Sequence, residues 1–244
     1  MQSADALLPA AILVAAVLYS SVGHGGASAY LAVMALAGLA PQVMRPSALV
    51  LNLVVSAIAA VGFAAAGWFR WRLFWPFALT SIPFAFLGGS ITLPDAVYRR
   101  ILGLVLLFAA YRLWRHFGSG EEILRPPPIA AALLWGAAIG TLSGLTGVGG
   151  GIFLSPLLLL ARWAEPKPTA AVSSAFIWVN SLAGLLGKPS SLLLLPSGIV
   201  LWAAAAAVGG IAGAFLGSRR LPSLVLRRLL AAVLVVAGGK LLLP

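Results

Sequence analysis

The sequence contains no cysteine, and its five acidic residues face sixteen Lys and Arg among 244 residues. Without cysteine there is no disulfide framework, thiolate nucleophile or thiolate metal site. Asp5, Asp95, Glu121, Glu122 and Glu165 fall in predicted loops or at the chain start, so no apolar stretch carries a carboxylate. Carriers of sodium or another cation usually keep an acidic group at their site, and intramembrane proton relays are commonly acidic as well. Charged residues of both signs make up only 9% of the chain, too few for the polar surface of a water-soluble domain.

What fills the chain instead is apolar: 61% of its residues are hydrophobic and the mean hydropathy is +1.06. These values predict an all-α integral membrane protein whose solvent is a lipid bilayer, and the expected location is the cell (plasma or inner) membrane. The excess of positive charge would suggest nucleic acid in a soluble protein. Here the basic residues sit singly or in pairs at the ends of apolar runs, as at Arg70 and Arg72, Arg99 and Arg100, and Arg227 and Arg228. Such placement fits the positive-inside rule and interfacial anchoring, and no nucleic-acid partner is expected. Trp68, Trp71, Trp75, Trp114 and Trp163 cluster at segment ends, as an interfacial belt does.

A helix needs about twenty apolar residues to cross a bilayer. The apolar segments are 4–22, 26–39, 46–67, 73–93 and 97–114, then 127–146, 150–163, 168–187, 197–217 and 224–243. A polar, proline-rich stretch near the middle separates them. The expected organisation is a first membrane repeat at 1–117, a linker at 118–128 and a second membrane repeat at 129–244.

The halves resemble each other. Gly23-His24-Gly25-Gly26 is answered by Gly147-Val148-Gly149-Gly150, Pro46-Ser47-Ala48 by Pro168-Thr169-Ala170, and Phe86-Leu87-Gly88 by Phe215-Leu216-Gly217. A duplicated unit explains the pairing. An odd number of crossings per unit inverts the second copy. With the N-terminus outside, that count puts eleven of the sixteen basic residues on the cytoplasmic side, against a nine-to-seven split for an even count. The expected fold is therefore two homologous halves as an inverted repeat, each of about five segments. The first segment is read as a retained helix, since it lacks the basic leader of a signal peptide.

Both glycine clusters precede a segment of about fourteen residues, which reaches roughly 21 Å and cannot cross the hydrocarbon alone. Each is expected to be a glycine-broken short helix or one arm of a re-entrant hairpin. Paired breaks at matching positions of inverted halves point to a transporter's central site. The free N–H groups of Gly25, Gly26, Ala27 and Ser28, and of Gly149, Gly150, Gly151 and Ile152, would begin half-helices whose positive ends attract an anion. Gly23 and Gly147 open the two breaks. His24 has two open readings, a neutral ring bonded to a backbone carbonyl or a contact for substrate or a proton. Among the polar residues of the next segments, Asn52 and Ser174 align in the repeat and join the candidate binding set. With one histidine in an apolar region and no cysteine, no catalytic or metal site and no cofactor is expected.

The GHGGA-type break after the first helix, the GVGGG break about 120 residues later and the proline-led starts of the next helices resemble the TauE/SafE family of sulfite exporters. The resemblance covers nearly the whole chain. It implies a membrane transporter exporting a small sulfur-containing anion, sulfite or an organosulfonate such as sulfoacetate. An anion channel and a non-transporting membrane scaffold remain the alternatives from the residues alone, and a homo-oligomer is left open.

Overall fold

The computed structural model describes residues 2–114, 125–219, 234–235 and 238–242. Within them the chain forms α1 (Gln2–Ser20), α2 (Ala27–Leu36), α3 (Pro41–Ala65), α4 (Trp71–Ser90) and α5 (Asp95–Trp114), then α6 (Ile129–Thr146), α7 (Gly151–Leu160), α8 (Pro166–Leu186) and α9 (Ile199–Arg219). Most of the expected linker at 118–128 and of the last segment at 224–243 lies outside the described residues, as does His116. A 3-10 helix at Pro189–Leu194, which the apolar pattern did not announce, joins α8 to α9.

Local chemistry sets the boundaries. Both α3 and α8 start on a proline, whose missing N–H is harmless in a first turn. α2 and α7 start after Gly26 at φ 96° and Gly150 at φ 83°, a left-handed conformation that glycine adopts without strain. They end before Gly38 at φ 81° and Arg162 at φ 58°, again 124 positions apart. These left-handed turns trim the two expected fourteen-residue segments to ten residues each. Ten residues rise roughly 15 Å, about half the hydrocarbon thickness.

Among the described residues, five helices are long and apolar enough to cross a membrane: α3, α4, α6, α8 and α9 up to Leu216. Their outer faces carry large apolar side chains, among them Val61, Leu79, Leu134, Val208 and Phe215. Serines, asparagines and threonines are buried instead, including Asn52, Ser56, Ser173, Asn180 and Ser181. An apolar exterior over a polar interior is the distribution a bilayer favours. α8 is the most central of the five, with 72% of its most apolar window buried against 33% for α9.

The main helix pairings correspond when the two halves are exchanged. α1 packs on α9 and α6 on α4, while α3 packs on α9 and α8 on α4. At the centre α3 and α8 pack on each other. They run antiparallel, since Leu49 meets Gly184 near one end and Ala59 and Phe63 cluster with Ala170 and Ala171 near the other. Close approach is made possible by glycine. A methyl on Gly136 of α6 would lie 2.5 Å from Phe77 O, and Gly140 and Gly144 meet the backbone of Ser81 and Ala85 in the same way. On the opposite flank Gly209 and Gly213 of α9 meet the carbonyls of Leu13 and Val17. Small residues four apart are how helices approach in lipid, where dispersion and polar contacts replace the hydrophobic effect.

Candidate functional site

The two breaks open their half-helices with the same hydrogen bonds. At the first, Gly23 N–H donates to Ser20 O at 3.0 Å and His24 N–H to Tyr19 O at 2.9 Å, closing α1. Ala29 and Tyr30 N–H then both donate to Gly26 O at 3.0 Å, opening α2. At the second, Phe153 and Leu154 N–H donate to Gly150 O at 3.0 and 3.1 Å. The N–H groups between, those of Gly25, Gly26, Ala27 and Ser28 and of Gly149, Gly150, Gly151 and Ile152, engage no acceptor among the described residues. Buried N–H groups without acceptors are unfavourable unless a ligand or water meets them.

The breaks meet at the crossing of α3 and α8. A methyl on Gly25 would lie 3.0 Å from Asn52 Cγ and 3.1 Å from Ile177 Cγ2, and one on Gly149 would lie 2.6 Å from Asn52 Nδ2 and 2.8 Å from Ile177 Cγ2. Asn52 of α3 and Ile177 of α8 therefore touch both breaks. Gly151 packs on Ile177 as well, with His24 Cδ2 3.7 Å from its methyl position. Asn52 is fully buried; its Nδ2 donates to Val148 O at 3.2 Å and its Oδ1 has no hydrogen-bond partner among the described residues. Ser181 Oγ, buried and also unpartnered, lies 3.1 Å from the Gly149 methyl position.

His24 is half-buried and spans the halves. Its Nδ1 lies 3.0 Å from Val22 O and its Nε2 3.1 Å from Ser155 Oγ of α7, and Ser155 Oγ in turn lies 2.8 Å from Ser173 Oγ of α8. Ser28 donates to Tyr19 OH at 2.8 Å, tying the start of α2 to α1. Ala27 and Ile152 are buried beside their breaks. Gly23 abuts Ala170, and Gly147 abuts Arg45.

These last contacts fix the register between α3 and α8. Arg45 and Ala170 occupy matching places, as do Asn52 and Ile177, so the shift is 125 positions. Ser174 is therefore not the counterpart of Asn52. Its Oγ turns back to donate to Ala171 O within its own helix at 2.9 Å. The sequence pairing followed the prolines Pro46 and Pro168, but α3 and α8 begin at Pro41 and Pro166. Ile177, Ser181, Ser155 and Ser173 complete the centre. Ile177 and Ser155 carried no sequence signal, because an isoleucine or a serine in a membrane helix is ordinary. Two surface cavities open elsewhere, near the N-terminal end of α3.

Broken half-helices enclosed by spanning helices, meeting at a buried polar centre, are the architecture of a multi-pass membrane transporter. The chain belongs to the TauE/SafE family: the family described as Sulfite exporter TauE/SafE matches residues 8–241. It is 42% identical over 239 residues to a probable membrane transporter protein of Sinorhizobium fredii, covering 96% of this chain and 97% of that one. A probable membrane transporter protein of Methanocaldococcus jannaschii is 26% identical over 120 residues, covering 48% of this chain and 45% of that one. No solved structure matches.

Proposed function

We propose that the chain exports a small sulfur-containing oxyanion, sulfite or an organosulfonate, by alternating access around the meeting point of the two glycine breaks. The observation that carries this reading is the shared contact of Gly25 and Gly149 with Asn52 and Ile177, which brings two sets of unengaged N–H groups to one buried place. Two half-helix N-termini aimed at one centre favour negative charge. Ser181 Oγ adds a hydroxyl donor, and Asn52 Oδ1 offers an acceptor for an oxyanion that retains a proton.

The antiparallel packing of α3 and α8 and the exchange symmetry of the helix pairs support an inverted repeat. Rocking one half against the other would expose the centre to each side in turn. The inside-negative potential favours anion exit by about 2.3 kcal/mol per charge per 100 mV, so uniport is sufficient.

The test is labelled-sulfite uptake into proteoliposomes with a counterflow arm. Saturable uptake, accelerated by unlabelled sulfite on the far side, supports alternating access. Non-saturating conductance without counterflow would instead make the protein an anion channel.

A further inference from the structure

Arg45, near the start of α3, has its backbone and Cγ against Gly147 of the second break and also lines a surface cavity. That cavity is bounded by the ends of α3, α4 and α8 and by the start of α5. Its walls carry Arg45, Lys188, Gln42, Tyr98 and Ser191. Arg45 donates to the carbonyls of Ile91, Gly88 and Gly89, which cap the C-terminal end of α4. Three of its five N–H donors are thereby engaged and two remain. Lys188 Nζ donates to Thr92 Oγ1 at 2.6 Å.

Neither cation pairs with a carboxylate among the described residues. The one acid on the wall, Asp95, accepts from Gln42 Nε2 at 2.8 Å. Tyr98 reaches inward from the same wall, its hydroxyl donating at 3.1 Å to Thr146 O, the residue before Gly147. Arg45 and Tyr98 thus touch both the cavity and the second break.

We infer that Arg45 and Lys188 form an outer binding subsite for the transported oxyanion, a vestibule that concentrates it at the mouth leading to the second break. The inference rests on the transport reading above. Two cations against the one carboxylate of Asp95 leave the cavity with an excess of positive charge, which raises the local concentration of an anion by an amount that falls with ionic strength. The Arg45 guanidinium and the Lys188 ammonium each bring a positive charge to this wall, the ammonium as a point charge on a flexible stem.

The experiment measures initial uptake of labelled sulfite against concentration in proteoliposomes, for wild type, Lys188→Gln, Lys188→Glu and Thr92→Ala, at low and high salt. Lys188 is half-buried at a helix end, and thermal melting of each purified variant checks folding. Lys188→Gln should raise the half-saturating concentration roughly threefold and Lys188→Glu roughly tenfold, with the maximal rate within about twofold, and high salt should shrink both effects. Thr92→Ala, which keeps the charge and removes its tether, should stay near wild type. Wild-type half-saturation in Lys188→Glu would overturn the vestibule while leaving the central site standing. An equal loss in Thr92→Ala and Lys188→Gln would also overturn it, making Lys188 a structural tether. No saturable uptake by wild type would remove the transport reading and the vestibule with it.

Discussion

His24 Nε2 lies 3.1 Å from Ser155 Oγ, so a side chain of the first break is tied to the half-helix that follows the second. Because a carbonyl only accepts, His24 Nδ1 must carry a proton toward Val22 O. In the neutral ring Nε2 then accepts from Ser155, and in the charged ring it donates to Ser155. Protonation therefore reverses the hydrogen-bond sense of the Ser155–Ser173 chain and adds a positive charge beside the two breaks. His24→Ala should flatten the pH dependence of sulfite transport relative to wild type. An unchanged pH profile in His24→Ala, measured in proteoliposomes, would remove His24 from the proton account.

Asn52 is a polar side chain that both breaks touch, and Asn52→Asp changes its charge with little change of shape. A carboxylate there repels an anion and also loses the donation from Asn52 Nδ2 to Val148 O, so thermal melting of the variant is measured beside its affinity. Affinity for sulfite should fall at least about tenfold, or about 1.4 kcal/mol, by calorimetry on the purified protein.

Gly25 and Gly149 separate space from strain. Gly149 sits at φ 80°, whereas Gly25 has no left-handed backbone, so Gly25→Ala places a methyl against Asn52 and Ile177 with no backbone penalty. Gly25→Ala should weaken anion binding with a modest loss of melting temperature. Gly149→Ala should lower both, because a left-handed alanine costs about 1–2 kcal/mol more.

Away from the centre, Gly140→Val tests the α4–α6 seam. A side chain there meets the backbone of Ser81, and overpacking of this kind costs about 1–3 kcal/mol. The detergent-solubilised variant should melt earlier than wild type while any folded fraction binds sulfite normally.

Much of this was legible in the residues. Hydropathy gave the helices, since bilayer thickness imposes their length. The glycine clusters gave the breaks, since few other residues take up the angles seen at Gly26 and Gly150. Other features are set by three-dimensional register. Asn52 faces Ile177 because α3 begins five residues before Pro46 and α8 only two before Pro168, a difference that side-chain identity does not encode. The Arg45 cavity likewise arises where four helix ends meet, and each of its residues looks like an ordinary interfacial anchor in one dimension.

The central claim is an anion site built from both breaks, and calorimetry tests it most directly. Purified wild type and Asn52→Asp would be titrated with sulfite, sulfoacetate, thiosulfate and sulfate, with sodium chloride as the control. The account predicts saturable heat from at least one sulfur oxyanion in wild type, none from sodium chloride, and a marked loss of affinity in Asn52→Asp. Equal affinity in the two proteins, or no response to any of the anions, would contradict it.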